Sequence, residues 1–400
     1  MKIKVGVLFG GKSVEHEVSI ISALQACQSF DREKYDIVPI YMTRENTFHI
    51  GEAVGKVENY KGGIPALLKM SQQVSLSGKD GRLLLERVPA KKFGSNVLET
   101  IDVVFPIVHG TNVEDGALQG YLKTLGVPFV GCDVLASAVG MDKYVMKTVW
   151  MASGLPVLPC LRIDHKHYLS DSEAFLDRVE KEIGCPVIVK PVNLGSSVGI
   201  RKADNREELA DALDYAFQYA GKVLVERAVQ NLKEINCSII GDYEEAEASE
   251  CEEPVSNDRI LTYEEKYLQG GGSKGAKSGD SEGMASLSRK IPADITPEER
   301  EKIRALAVEA YQALDCCGLS RIDFMMDSAT REIWLNEINT IPGSLSFYLW
   351  EPLGVPYKDV LTRMIDLAFK REREVGAITY SFDTSILAGA SFGGSKGSKL

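Results

Sequence analysis

The chain has 400 residues, too many for one compact core, so its length predicts two to three domains. Apolar residues make up 44% and charged residues 26%, the balance of a globular chain and not of a disordered one. A net charge of −11 argues against sequence-independent nucleic-acid binding, which needs a basic surface, and no run of about 18 apolar residues marks a membrane span.

In chain order, a strand over 4–9, a helix over 14–29 and a strand over 35–42 form a βαβ unit with a Gly10-Gly11 turn, which predicts a parallel first sheet. The apolar start runs into Gly-Gly and a helical pattern, so it reads as a strand and not as a signal peptide. On that helix Val14, Val18 and Ile21 make one apolar stripe, and Glu15 and Ser19 share another face. Residues 74–88 predict a hairpin around Lys79-Asp80-Gly81, and 102–110 a buried strand entering a loop. A helix over 136–154 follows, ending at Gly154. A strand over 185–191, a Gly/Ser loop over 193–200, a helix over 205–220 and a strand over 222–229 predict an α+β layer.

A strand over 233–242 leads into the acidic run 243–253, which reads as a solvated face or loop. Residues 269–283 are Gly/Ser/Lys-rich and flexible by composition. Thr296 caps a helix with Pro297 at its first position and acids in its first turn. "RIDFMMD" and "EIWLNEIN" are strands joined by "SATR" as a hairpin. The tail from 376 reads as flexible, and its terminal Ser-Lys-Leu matches a peroxisomal address at a length that chance supplies easily. Eight cysteines without paired Cys-x-x-Cys spacing point to a reducing, cytoplasmic setting and away from zinc.

Four places carry chemistry. Asp323 on one hairpin strand, with Glu337 and Asn339 on the other, makes a hard-oxygen cluster of the kind Mg²⁺ prefers; the plainer alternative pairs the acids with Arg321 or a lysine. In "KPVNLGSSVGI", Lys190 precedes a loop with Gly195, Ser196, Ser197 and Gly199 whose backbone N–H groups suit phosphates, or which is only a turn. Glu15 at a helix N-terminus and His109 at a strand end are ligand contacts, or a macrodipole partner and a core histidine. Lys266 and Tyr267 lie in a lid-like stretch, or in an exposed turn.

Taken in order, "GGKSVEHEVS", "HGTNVEDGALQG", "MDKYVMK", "VIVKPVNLGSSVGI", "YEEKY", "SRIDFMMD" and "NEINTIPG" resemble the D-alanine–D-alanine ligases of the ATP-grasp superfamily, from about residue 3 to 370. The resemblance implies an α/β and α+β, three-domain ATP-grasp fold: an N-terminal parallel-sheet domain over 1–131, a central domain over 132–229, a C-terminal domain over 230–375, and a tail over 376–400. It implies a two-step ligation of two D-alanines through an acyl phosphate for peptidoglycan synthesis, with ATP as co-substrate, in a cytoplasmic homodimer.

By position, Asp323, Glu337 and Asn339 would hold two Mg²⁺, with Mn²⁺ as a substitute, and Lys143, Lys190, Ser197 and Lys266 would contact ATP phosphates. Glu226 would take the adenine side and Glu234 the ribose. Glu15 would hold the first D-alanine's ammonium, with His109 near its carboxylate, and Ser196 would join Glu15 to Tyr267 in the lid. Arg321 and the Gly343 N–H would stabilise the tetrahedral oxyanion. Two positions depart from the family pattern. Val113 stands where a glycine is usual, and Tyr348 where a serine usually binds the second substrate's carboxylate. The departures leave open a related ligase with another second substrate, in which Ser344 or Ser346 serves or the pocket differs; a catalytically silent ATP-binding paralogue is the reading from another class.

Overall fold

The computed structural model describes residues 2–195, 198–254 and 289–379. Its strands in chain order are β1 (Ile3–Gly10), β2 (Tyr35–Met42), β3 (Phe48–Ile50), β4 (Gln72–Lys79), β5 (Arg82–Arg87), β6 (Val97–Ile101), β7 (Val103–Ile107), β8 (Cys160–Asp164), β9 (Val187–Pro191), β10 (Arg201–Ala203), β11 (Lys222–Arg227), β12 (Leu232–Gly241), β13 (Ala246–Pro254), β14 (Arg289–Lys290), β15 (Gly318–Asp327) and β16 (Ile333–Asn339). Among the described residues they form three sheets, in the orders β6-β5-β4-β3-β2-β1-β7, β10-β9-β11-β8 and β14-β13-β12-β15-β16.

The first sheet is parallel only where β1 lies between β2 and β7. From β2 through β3, β4 and β5 to β6 every pairing is antiparallel, so the expected parallel sheet is a mixed one. The βαβ pattern marks the parallel part, where Val5, Val7, Leu8 and Phe9 are all fully buried, as a strand covered on both faces requires. The antiparallel part follows from short turns. Asp80 and Gly81 both take positive φ (50° and 71°) between β4 and β5, the two-residue turn whose twist matches a hairpin.

Three other expectations change. The helix read over 136–154 is two helices, Val134–Met141 and Lys143–Ala152, broken at Asp142, whose carboxylate accepts from the N–H groups of Tyr144 and Val145. The first helix spans His16–Ser29, and of the predicted stripe only Val18 is buried; Val14 and Ile21 are half-exposed, because Ser19, Ser22, Ala23 and Ala26 face the sheet instead. The acidic run is not a loop. It folds as β13, between β12 and β14, and buries Glu250 and Glu252.

Each sheet has its own core. The first also takes the C-terminal helix Tyr357–Gly376 through Val360, Leu361, Met364 and Ile365, so the chain's far end seals its beginning. The third takes Met146 and Trp150 of the split helix pair and the helix Pro297–Ala313, with Trp150 donating to the Ala310 carbonyl at 2.9 Å. The central sheet closes on helices Ser172–Glu182 and Arg206–Ala216.

Candidate active site

The pairing registers place Glu252, Asn236, Asp323 and Glu337 directly opposite one another across β13, β12, β15 and β16. Residues opposite in antiparallel strands share a face, so one transverse row of three carboxylates and an amide crosses this sheet. Arg321 and Glu234 lie two residues from row members and therefore on the same face. A bulge beside Asp323 leaves Asn336 as the extra residue of β16.

The row is held by cations. Arg321 forks onto Asp323, with Nε to Oδ1 at 2.6 Å and Nη2 to Oδ2 at 2.7 Å, and the Asn339 amide donates to Oδ2 at 3.1 Å. Lys143 lies 3.0 Å from Glu337 Oε2 and donates to the Leu194 carbonyl at 2.9 Å. Burial pushes the Asp323 carboxyl up against the pull of Arg321, and the Glu337 and Glu252 charges push it the same way. The plainer reading of Asp323 and Glu337, ion pairs with Arg321 and a lysine, is thus what the side chains do here. The residue types still suit Mg²⁺: two carboxylates and an amide side chain share one hairpin edge, with the Asn339 amide nitrogen, not its oxygen, meeting Asp323. Among the described residues no group of three or more His, Cys, Asp and Glu gathers as a metal cluster.

From the central sheet, Lys190 reaches the Asn336 amide oxygen at 3.1 Å and pairs with Glu226. Lys147 approaches the other Glu226 oxygen at 2.7 Å, and all three side chains are buried. Burial opposes charge on Glu226, but Lys147 and Lys190 hold its carboxyl down at about 2. Burial likewise disfavours the Lys190 ammonium, while Glu226, Glu337 and Glu234 hold it above the usual lysine range. Lys147 was not a candidate from sequence; its spacing from Lys143 on one helix face was the available signal.

The first sheet contributes from its strand ends. Gly10 and Gly11 take positive φ, and a Cβ on Gly10 would stand 2.2 Å from the Met42 carbonyl, so glycine alone fits this turn. The turn delivers Glu15 to the start of the first helix, where the side chain makes no capping bond. Its carboxylate lies against Gly195 and Gly110, at 3.1 Å and 2.9 Å from where their Cβ atoms would be. Ser19 is absorbed structurally, accepting from Gly10 N and donating to the Ile107 carbonyl. Val113 is fully buried and packs over Gly11, where a Cβ would meet its Cγ1 at 2.5 Å, so the departure from glycine fills space.

His109 is buried, and burial lowers its pKa, so its ring is neutral. Nδ1 meets the Ile341 carbonyl at 2.8 Å and must donate; Nε2 then accepts from the Ser22 hydroxyl at 3.2 Å, and Ser22 Oγ accepts from Ser344 N at 3.0 Å. Glu114, absent from the sequence-derived candidates, takes the Ile341 N–H at 2.9 Å, the Thr340 hydroxyl at 3.2 Å and the Gly110 N–H at 2.9 Å. Ser22, His109 and Glu114 therefore pin residues 340–344 of the third sheet's turn to the first sheet. Beyond Gly343 the chain makes a left-handed turn, with φ of 49°, 51° and 44° at Ser344, Leu345 and Ser346. Both serine hydroxyls are fully buried and, among the described residues, without a hydrogen-bond partner. Tyr348 is buried too, its hydroxyl 3.3 Å from Glu252 Oε1. Ser196, Ser197, Lys266 and Tyr267 lie outside the described residues.

A lysine-bearing antiparallel sheet facing a carboxylate-bearing sheet, behind a third sheet that presents its strand ends to both, is the ATP-grasp architecture. The family described as D-ala D-ala ligase N-terminus matches residues 4–132, and D-ala D-ala ligase C-terminus matches 149–366. A D-alanine–D-alanine ligase of Geobacillus kaustophilus is 40% identical over 96% of this chain and 99% of its own. Two solved structures, the D-alanine-D-alanine ligase of Coxiella burnetii and the VanG D-Ala:D-Ser ligase of Enterococcus faecalis, each superpose with a TM-score of 0.74. The first covers 94% of this chain and 97% of its own at 28% identity, the second 92% and 100% at 29%. The chain belongs to the D-alanine–D-alanine ligase family.

Proposed function

We infer that this chain is an ATP-dependent ligase that joins two D-alanines into D-alanyl-D-alanine for peptidoglycan synthesis. The observation that carries the reading is the Asp323–Glu337 pair, with Arg321 on one side and Lys143 and Lys190 on the other. A carboxylate oxygen of the first D-alanine attacks the γ-phosphorus of ATP and ADP leaves. The amine of the second then attacks the acyl carbon, phosphate leaves, and the amine gives up a proton.

Glu15 holds the first ammonium. Lys143, Lys190, Ser197 and Lys266 balance the phosphates, and Glu226 and Glu234 frame the nucleoside. His109 and Glu114 set the turn from which the Gly343 N–H faces the oxyanion, opposite Arg321. Two Mg²⁺, or Mn²⁺, on Asp323, Glu337 and Asn339 would neutralise phosphate charge when bound. Each sheet is one domain, with limits near 131, 229 and 375, and the working form is a cytoplasmic homodimer; no helix among the described residues is long and apolar enough to cross a membrane.

A second reading keeps the chemistry and changes the acceptor. Buried Tyr348 in place of a carboxylate-binding serine favours it, and VanG is named for a D-serine acceptor. Asp323→Asn and Glu337→Gln test the shared part. Each should lower D-alanine-dependent phosphate release by about 100-fold or more with an unchanged circular dichroism spectrum, and EDTA should abolish release until Mg²⁺ is restored. Full activity in both variants would rule out this site.

A further inference from the structure

Lys147 is a buried cation that the reaction derived above leaves without a role. Its side chain is 1% exposed, as is that of Glu226, whereas the side chains of Lys190 and Lys143 keep 9% and 11%. The last two retain some contact with solvent; Lys147 is sealed and cannot itself meet a nucleotide. An ammonium group taken out of water needs a partner, and Lys147 has Glu226 Oε2 at 2.7 Å. The other Glu226 oxygen pairs with Lys190, whose ammonium also donates to Asn336 Oδ1 at 3.1 Å. The carboxylate is therefore a bracket with one end on the helix Lys143–Ala152 and the other on β9.

The same helix carries Lys143, one turn before Lys147. Its backbone N–H donates to the Val192 carbonyl at 2.9 Å, just past β9, and its ammonium lies 3.0 Å from Glu337 Oε2. Lys143 and Lys190 thus rest against consecutive residues of β16, Glu337 and Asn336. Lys143 belongs to the helix directly; Lys190 is tied to that helix through Glu226 and Lys147. A lysine is a point charge on a flexible stem, so two of them have no fixed separation unless other groups impose one. A polyphosphate is held well only when that separation matches its oxygens. We propose that Lys147 is a positioning residue for nucleotide binding: by holding Glu226 it sets the spacing of the Lys143 and Lys190 ammonium groups that meet the phosphates. This rests on the ligase reading above, which gives both lysines to ATP.

The test uses the full-length enzyme with Mg²⁺. K147M keeps the length of the stem and removes the ammonium. Its Kd for ADP, by calorimetry, and its KM for ATP should each rise by about tenfold or more, while KM for D-alanine stays within about twofold. A loss of stability alone would move the two substrates together or move neither. K147R keeps a cation against Glu226 on a longer, planar group, so it should recover part of the loss and leave the ADP Kd raised by about threefold. A folded K147M that binds ADP as wild type does, or whose KM for D-alanine rises as far as that for ATP, overturns the proposal. If K147M does not fold, wild-type ADP affinity in K147R overturns it. A wild type that makes no dipeptide from ATP and D-alanine counts against the ligase reading and not against the spacing, which the ADP comparison tests by itself.

Discussion

At the scale of residues, Glu226 lies between two buried lysines, Lys147 and Lys190. Glu337 and Glu234 add their charges around Lys190, so the buried ammonium groups are balanced by carboxylates from more than one strand. Lys147→Ala should destabilise the fold by about 3–5 kcal/mol in urea denaturation, because it leaves a buried carboxylate with one partner. A change under about 1 kcal/mol would mean that the pair is solvated.

Glu114 behaves in the opposite sense. Burial raises its carboxyl from the ordinary 4.5 to about 7, against the pull of the Gly110 and Ile341 N–H groups. A raised folded pKa means that the folded state binds the proton more tightly. The stability this contributes is full below pH 4.5, declines between 4.5 and 7, and is gone above 7. Relative to Glu114→Gln, wild type should therefore lose roughly 1 kcal/mol per pH unit over that window. Parallel stability curves for the two proteins would refute the assignment. Glu114 was legible as a residue of a Gly-rich loop but not as a clamp, since its partners Thr340 and Ile341 lie more than 220 positions away.

At the scale of elements, legibility followed local signals. The Thr296 cap, with Glu299 returning its bond, is written in four consecutive residues and forms as read. Thr296→Ala should cost about 1 kcal/mol in thermal or urea unfolding; no measurable cost would show that packing against the third sheet alone sets the helix start. The Asp80-Gly81 turn was equally local. What misled was hydrophobic pattern read without its partner. Val14 and Ile21 fit a helical stripe, yet the sheet they would cover lies against the small residues of the same helix. The acids of β13 looked solvated because the arginines that receive them, Arg289 and Arg300, come from elements after the strand.

At the scale of the whole molecule, the site is a meeting of three sheets, and its parts differ in how far sequence reached them. The Asp323–Glu337–Asn339 spacing was legible because one hairpin holds all three. The Ser22–His109–Glu114 pins and the return of the C-terminal helix to the first core were not, because each joins opposite ends of the chain. Those long-range ties link the first helix and the loop after β7 to the turn that carries Gly343. A reactive acyl phosphate formed inside such an assembly is shielded from water only while all three parts stay closed.

The central claim is therefore best tested by stoichiometry: the ratio of phosphate released to D-alanyl-D-alanine formed by purified protein with D-alanine, ATP and Mg²⁺. The account predicts about one phosphate per dipeptide, and none released without D-alanine. Phosphate release with no dipeptide, or none at all with D-alanine present, would contradict it.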